Sequence, residues 1–255
     1  SVPFNSQGKY RKGIMYFQER NIEFITLEFH AKALSYPISL LDFVLEVIGE
    51  FYQKLVIIRQ LDLREVKTPQ GYARTFNLDS NCRNLYVVLY NLFLKENKIP
   101  DLITEHLKLA FPNYNLLFDL TEDGRLFAKL RDLKTMLELP PPCMPDGLHK
   151  FLAILTALEL KPSILAIDEL ENSLHPRLIE LVIDIFKNSS TTVIATTHSP
   201  AVVDLIEPED LILAEMTAKG TVFKRLKEPK KIKEELRRLG ITLSERWLWG
   251  ELPAK

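Results

Sequence analysis

Two uninterrupted apolar runs, Ile164-Leu165-Ala166-Ile167 and Val193-Ile194-Ala195, constrain this chain more than any other feature. Runs without polar alternation fit strands covered on both faces, and parallel strands joined by helical crossovers are the arrangement that covers them. The neighbouring segments follow suit: helix over 147–160, strand over 163–167, helix over 175–188, strand over 191–196 and a further strand over 211–215. Each run stops on polar residues, Asp168-Glu169 after the first and Thr196-Thr197-His198-Ser199-Pro200 after the second. The expected fold class is α/β, with a mixed, largely parallel sheet flanked by helices and its ligand chemistry at the carboxyl ends of the strands.

The amino-terminal half follows other patterns. Short β-like runs on either side of Glu19-Arg20-Asn21 predict a hairpin over 10–30. Pro37 opens a helical periodicity that lasts to Phe51 and leads into a strand over 54–58. Ser80 and Asn81 are expected to cap a helix carrying Leu85, Val88, Leu89, Leu92 and Phe93, and Pro100-Asp101 starts a second one through Ala110. Asp123-Gly124, between β runs at 115–120 and 125–130, predicts a hairpin with a primed turn. The expected organisation is a β-rich part over 1–36, a helical lobe with one strand over 37–112, a core over 113–215 and a basic tail over 216–255.

Of the 255 residues 46% are apolar and 26% charged, enough for one large domain core, and the net charge of −1 gives no global pull towards nucleic acid. Cys82 and Cys143 lie far apart without CxxC or Cys/His spacing, which argues against a disulfide framework or zinc site and for a reducing, cytoplasmic setting. No apolar run reaches the roughly 18 residues that span a bilayer. The chain opens at Ser1 without Met, in what reads as the middle of a β-rich region, so an upstream part is expected.

Asp168 suits Mg²⁺, which prefers carboxylate and phosphate oxygens and keeps much of its water shell. Glu169, one residue on, points elsewhere and suits a base that orients and deprotonates a water attacking a γ-phosphate. Alone, an apolar strand ending in Asp-Glu is also an ordinary solvated strand end. Ser173 and Pro176 are also helix-start residues, and His198 alone is also an ordinary turn residue. The joint spacing carries more, because a histidine ending the neighbouring strand reaches the same bound phosphate as the carboxylates.

In this order, strand 164–169 ending Asp-Glu, then Glu171-Asn172-Ser173-Leu174-His175-Pro176, then Thr196-Thr197-His198-Ser199-Pro200, the sequence resembles ABC-type ATPase heads, specifically the RecF-like and OLD-like branch of predicted ATPases. The three segments match that branch's Walker B strand, D-loop and switch strand. The resemblance implies an ATP- and magnesium-dependent switch in which ATP closes a head-to-tail homodimer and hydrolysis opens it. Asp168 would hold Mg²⁺, Glu169 and His198 would be catalytic, and Pro145, Asp146, Gly147, Asn172 and Ser173 would face the nucleotide. It further implies action on DNA, RNA or an effector nuclease, and the lack of a bilayer-spanning apolar run argues against a membrane partner.

Two departures stand out. The family's Gly-rich P-loop ending Gly-Lys-Ser or Gly-Lys-Thr is absent, since Gly8-Lys9 runs into Tyr10. The signature loop, Leu-Ser-x-Gly or close to it in the family, becomes Met144-Pro145-Asp146-Gly147, which loses a hydroxyl but keeps a helix amino terminus that can face a phosphate. Without the resemblance, Asp146 capping a buried helix explains that segment equally well. The basic tail, including Lys224, Arg225, Lys227, Lys230, Lys231, Lys233, Arg237 and Arg238, reads either as a nucleic-acid contact or as a solvated helix. The competing functions are a catalytically silent ABC-fold scaffold and a metal-dependent nuclease built on Asp168, Glu169, Glu171 and a histidine.

Overall fold

A computed structural model describes residues 11–15, 25–29, 55–218 and 220–253. The chain divides into two compact units, residues 1–50 and 51–255. In the first unit β1 (Arg11–Met15) pairs antiparallel with β2 (Ile25–Phe29), Arg11 opposite Phe29, which is the expected hairpin. Its turn and the helix expected from Pro37 lie outside the described residues.

The second unit begins with β3 (Leu55–Ile58) and the single turn α1 (Leu63–Val66), capped by the Asp62 side chain. The following helix, α2 (Leu85–Glu96), starts later than its sequence suggested. Ser80 and Asn81 do not cap it. Their carbonyls instead accept the N–H groups of Arg59 at 2.7 Å and Asp62 at 2.9 Å, which docks the loop on the chain leaving β3. Asn84 occupies the cap position, and its amide ties the loop to itself through Asn77 O and the Asp79 N–H, both at 2.9 Å.

After α3 (Asp101–Ala110), β4 (Tyr114–Leu120) and β5 (Leu126–Asp132) form a hairpin whose far edge β5 shares with β6 (Glu138–Leu139). The turn is not of the primed type. Gly124 alone has positive φ, at 78°, and its N–H donates to Thr121 O, so a type I turn closes with glycine in the left-handed position. A primed turn needs two such residues.

The centre of the unit is α4 (Asp146–Glu159), buried from Leu148 to Leu158. A helix apolar all round belongs inside a domain, not on its surface. It leads into β7 (Ile164–Ile167), then α5 (Pro176–Lys187), β8 (Thr192–Ala195) and α6 (Pro200–Leu205). β3, β7 and β8 form a three-stranded parallel sheet in that order, with Ile58, Ile167 and Ala195 side by side at its carboxyl end. Leu165 and Ile167 of the middle strand are buried as expected. β8 departs from expectation: it forms one edge of this sheet among the described residues, and Ile194 is 57% exposed.

The strand expected over 211–215 does not extend the parallel sheet. As β9 (Ile212–Thr217) it pairs antiparallel with β10 (Gly220–Arg225), a strand inside the basic tail. A second small core of Val203, Leu211, Leu226, Ile232, Leu236 and Leu243 joins this region to α7 (Pro229–Leu239) and α8 (Leu243–Leu248). Among the described residues no helix is long and apolar enough to cross a membrane.

Candidate functional site

Parallel pairing sets the edge on which the polar residues emerge. The Asp168 N–H donates to Ile58 O at 2.8 Å and the Thr196 N–H to Ile167 O at 2.9 Å, so both ladders run one residue beyond the strands. Thr196 then ties the two strand ends together with its side chain. Its hydroxyl donates to Asp168 Oδ1 at 2.6 Å, and its Oγ1 accepts the Glu169 N–H at 2.8 Å. The second Asp168 oxygen is left for another partner, and the residue is exposed.

Glu169 turns the chain sharply. Its φ is 46° and that of Ser173 is 65°, left-handed values that cost a non-glycine residue about 1–2 kcal/mol each. The turn is held by Asn172 N–H to Glu169 O and Leu174 N–H to Glu171 O, both 3.0 Å, and anchored by buried Leu170 and Leu174. Asn172 Nδ2 reaches Glu169 Oε2 at 3.4 Å, a loose contact. Backbone strain of this kind persists only where the surroundings over-determine it.

Glu171 joins this turn to the residues that follow β8. Its Oε1 accepts the His198 N–H at 2.9 Å and lies 3.2 Å from His198 Nδ1. Burial pushes the Glu171 carboxyl up, but the His198 N–H, its own N–H and the Thr197 hydroxyl outweigh this and hold it below the usual carboxylate range. The His198 ring itself is 76% exposed, free to meet a ligand from solvent.

Beneath the turn lies Lys150 of α4, 3% exposed, with Nζ 3.4 Å from Asp168 O. Burial pushes its ammonium below the usual lysine range, against the opposing pull of Cys82, Asp168, Glu169 and Glu171. A buried cation needs nearby anions, and a buried anion needs the cation in return. Glu171 Oε2 is buried with no hydrogen-bond partner among the described residues.

The start of α4 meets the same turn from the other side. Pro145 holds the N-cap position without a side-chain cap, and Asp146, in the first turn, pairs with Lys67 instead of capping the helix. A β-carbon at Gly147 would lie 2.5 Å from Ser173 O, so only glycine lets the helix approach residue 173 this closely. Of the residues singled out from sequence, Asp168, Glu169, Asn172 and His198 are thus linked through Thr196 and Glu171. Gly147 and Ser173 touch each other, while Pro145 and Asp146 bond to none of the carboxylates. Thr196 and Lys150 were not among the expected site residues, and Glu171 was expected only as a metal ligand of the rival nuclease. Glu171 and Thr196 sit inside the two quoted segments, and Lys150 shows in sequence as the one lysine or arginine of a mainly apolar helix.

The donor set fits a hydrated magnesium–phosphate group: a free carboxylate oxygen on Asp168, a second carboxylate on Glu169 and an exposed imidazole, all hard or neutral donors at one strand edge. Among the described residues no three His, Cys, Asp or Glu are grouped as a self-sufficient metal site. A hydrated ion sharing its ligands with a phosphate does not need such a group.

Residues 15–204 match the family model described as AAA domain, putative AbiEii toxin, Type IV TA system. No curated protein matches the chain. Among solved structures it resembles one from a study of ATP-driven dimerization and DNA-stimulated activation of SMC ATPases, at 18% identity and TM-score 0.44, covering 57% of this chain and 95% of that one. It also resembles an Smc head bound to the C-winged helix domain of ScpA, at 16% identity and TM-score 0.49, covering 70% of this chain and 57% of that one. A third is cbiO1 from Clostridium perfringens, part of the ABC transporter complex cbiONQ, at 17% identity and TM-score 0.42, covering 81% and 71%.

Proposed function

The chain belongs to the AAA-domain family described as putative AbiEii toxin, type IV TA system, and on that footing we propose that it is an ABC-type ATPase switch of the RecF-like and OLD-like branch. ATP and magnesium bind at the carboxyl edge formed by β3, β7 and β8, the last two supplied by the core over residues 113–215. The observation that carries this reading is the Thr196 bridge, which fixes Asp168 and Glu169 at the end of one strand while the next strand delivers His198.

In this reading Asp168 Oδ1 is held by Thr196, leaving Oδ2 to face the ion. Magnesium brought with ATP supplies charge neutralisation on the phosphates. Glu169 orients a water in line with the γ-phosphate and takes its proton as the oxygen attacks phosphorus, and ADP leaves with the electrons of the broken P–O bond. His198 donates from its exposed ring to a γ-oxygen, while Glu171 keeps its backbone in place. The amino terminus of α4, with Pro145, Asp146 and Gly147, faces the nucleotide of a second copy across a head-to-tail dimer. Asn172 and Ser173 line the same junction.

Closing and opening of that dimer is the output, acting on DNA, RNA or an effector nuclease. Pro145 favours a second reading, a silent scaffold, since it removes the hydroxyl that a signature loop offers a phosphate. Phosphate release from ATP decides between them. Turnover that Glu169→Gln abolishes supports the switch, and no turnover in the full-length wild-type protein supports the scaffold.

A further inference from the structure

A second surface of the same unit combines exposed aromatic side chains with arginines. Residues 69–83 form no helix and no extended strand, yet the loop is pinned at many points. Gln70 exchanges backbone hydrogen bonds with Leu126 at 2.8 and 2.7 Å, Asn91 Nδ2 donates to Ala73 O at 2.8 Å, and Asn84 holds Asn77 and Asp79. A loop tied this firmly presents its side chains at little further entropic cost.

What it presents is Tyr72, 49% exposed, and Phe76, 40% exposed, with Arg74 between them. Tyr72 is locked: its hydroxyl donates to Asn91 Oδ1 at 3.1 Å and its ring meets Tyr90 edge-on at 6.0 Å. Tyr90 in turn packs on Phe93 and Phe118, so the exposed ring is the outer end of a packed aromatic cluster. Lys95 Nζ lies 5.8 Å from the centre of the Phe76 ring. The loop continues into a polar cleft of about 580 Å³ lined by Arg59, Gln60, Asp79, Ser80, Asn81 and Arg83. Arg83 is paired with Asp79, whereas Arg59 and Arg74 carry no ion pair among the described residues.

Exposed rings on a rigid base with unpaired cations beside them match the requirements of single-stranded nucleic acid: bases stack on the rings and phosphates pair with the guanidiniums. The tail is the rival candidate: Lys224, Lys231, Lys233 and Arg246 have acidic partners, while Lys227, Lys230, Arg237 and Arg238 carry no ion pair among the described residues. We propose that the loop over 69–83, with Tyr72, Arg74 and Phe76 as its contacts and the Arg59–Arg83 cleft as its phosphate channel, is a binding surface for single-stranded nucleic acid. The site stands on its own residues and does not require the ATPase reading.

The test is fluorescence anisotropy of a labelled single-stranded oligonucleotide of about 20 residues, added to the full chain without ATP over about 50 to 200 mM salt. Deoxy, ribo and duplex versions separate the nucleic-acid types. Binding of a single strand that weakens as salt rises is expected. Arg74→Glu and Phe76→Leu should each weaken it about tenfold, and Arg74→Glu should lower the salt slope by about one. Both sites are exposed, and circular dichroism checks that the fold is kept. Arg237→Glu with Arg238→Glu should change affinity less than about twofold. Absence of binding at the lowest salt, loop variants that bind like wild type, or loss of binding on the tail substitutions alone overturns the proposal.

Discussion

Glu171 Oε1 accepts the His198 N–H at 2.9 Å, so a carboxylate in the turn after β7 fixes the backbone of the histidine that ends β8. The bond spans 27 residues of sequence and leaves the imidazole exposed. It gives Glu171 a positioning role, distinct from the roles proposed for Asp168 and Glu169.

Glu171→Gln tests that role. The amide oxygen is a weaker acceptor of the His198 N–H than the carboxylate, and the charge beside the imidazole is lost, so the histidine is held less firmly. ATP turnover is expected to fall by about tenfold with KM changed less than about twofold, since misplacing the γ-phosphate donor proposed for His198 costs transition-state and not ground-state binding. The carboxyl is held below its usual range, so the stability it contributes is present above the unfolded value near 4 and is lost only as pH falls through the depressed folded value. The stability gap between wild type and variant should therefore be flat from about pH 5 upward and shrink only at more acidic pH. A gap that closes already at neutral pH contradicts the assignment.

Gly147→Ala reverses the usual helix preference. Alanine in a helix interior normally gains up to about 1 kcal/mol over glycine. Here its β-carbon would lie 2.5 Å from a backbone oxygen, Ser173 O, so one segment must move. A loss of about 1–3 kcal/mol is expected, read by thermal or chemical denaturation. A stabilised variant would show that α4 and the turn are not packed this closely.

His149 sets an acid limit on the fold. Burial pushes its ring down to about 4, and its Nδ1 meets the Tyr86 hydroxyl at 2.6 Å. The unfolded chain takes up this proton near pH 6.5 and the folded protein only near 4, so stability falls as pH drops through that window, by about 3 kcal/mol in all. His149→Phe should flatten this limb of the pH–stability curve, whatever its effect at neutral pH. An unchanged slope contradicts the buried neutral imidazole.

The 255 residues contain no GxxxxGK[ST] stretch, so on their own they should bind ATP weakly, because a phosphate cradle supplies the main triphosphate contacts. Titration calorimetry checks this. Micromolar affinity would mean that the carboxyl edge, or another part of the chain, holds the triphosphate unaided.

The core of this architecture is legible where chemistry is local and repeated. Apolar runs at 164–167 and 193–195 give adjacent parallel strands, and the polar residues after them emerge at one edge because parallel pairing allows nothing else. Less legible was whatever depended on a distant partner. The exposure of Ile194 follows from the position of β8 in the sheet, and the antiparallel β9–β10 pairing follows from a hairpin that the basic composition of the tail obscured. Ser80 and Asn81 read as helix caps because their residue types favour that place, but their carbonyls are taken by Arg59 and Asp62. The buried Lys150 and the Glu171 bond to His198 involve contacts across 18 and 27 residues, which no local pattern encodes.

The most direct test measures phosphate release and sedimentation, with and without ATP, for the full-length protein. Wild type should turn over. Glu169→Gln should lose turnover and keep or strengthen ATP-dependent dimerisation, because the amide preserves shape but cannot take the proton. Asp168→Asn should lose dimerisation with ATP as well, because it removes a charge facing magnesium. Identical phosphate release and identical sedimentation for all three proteins would contradict the account.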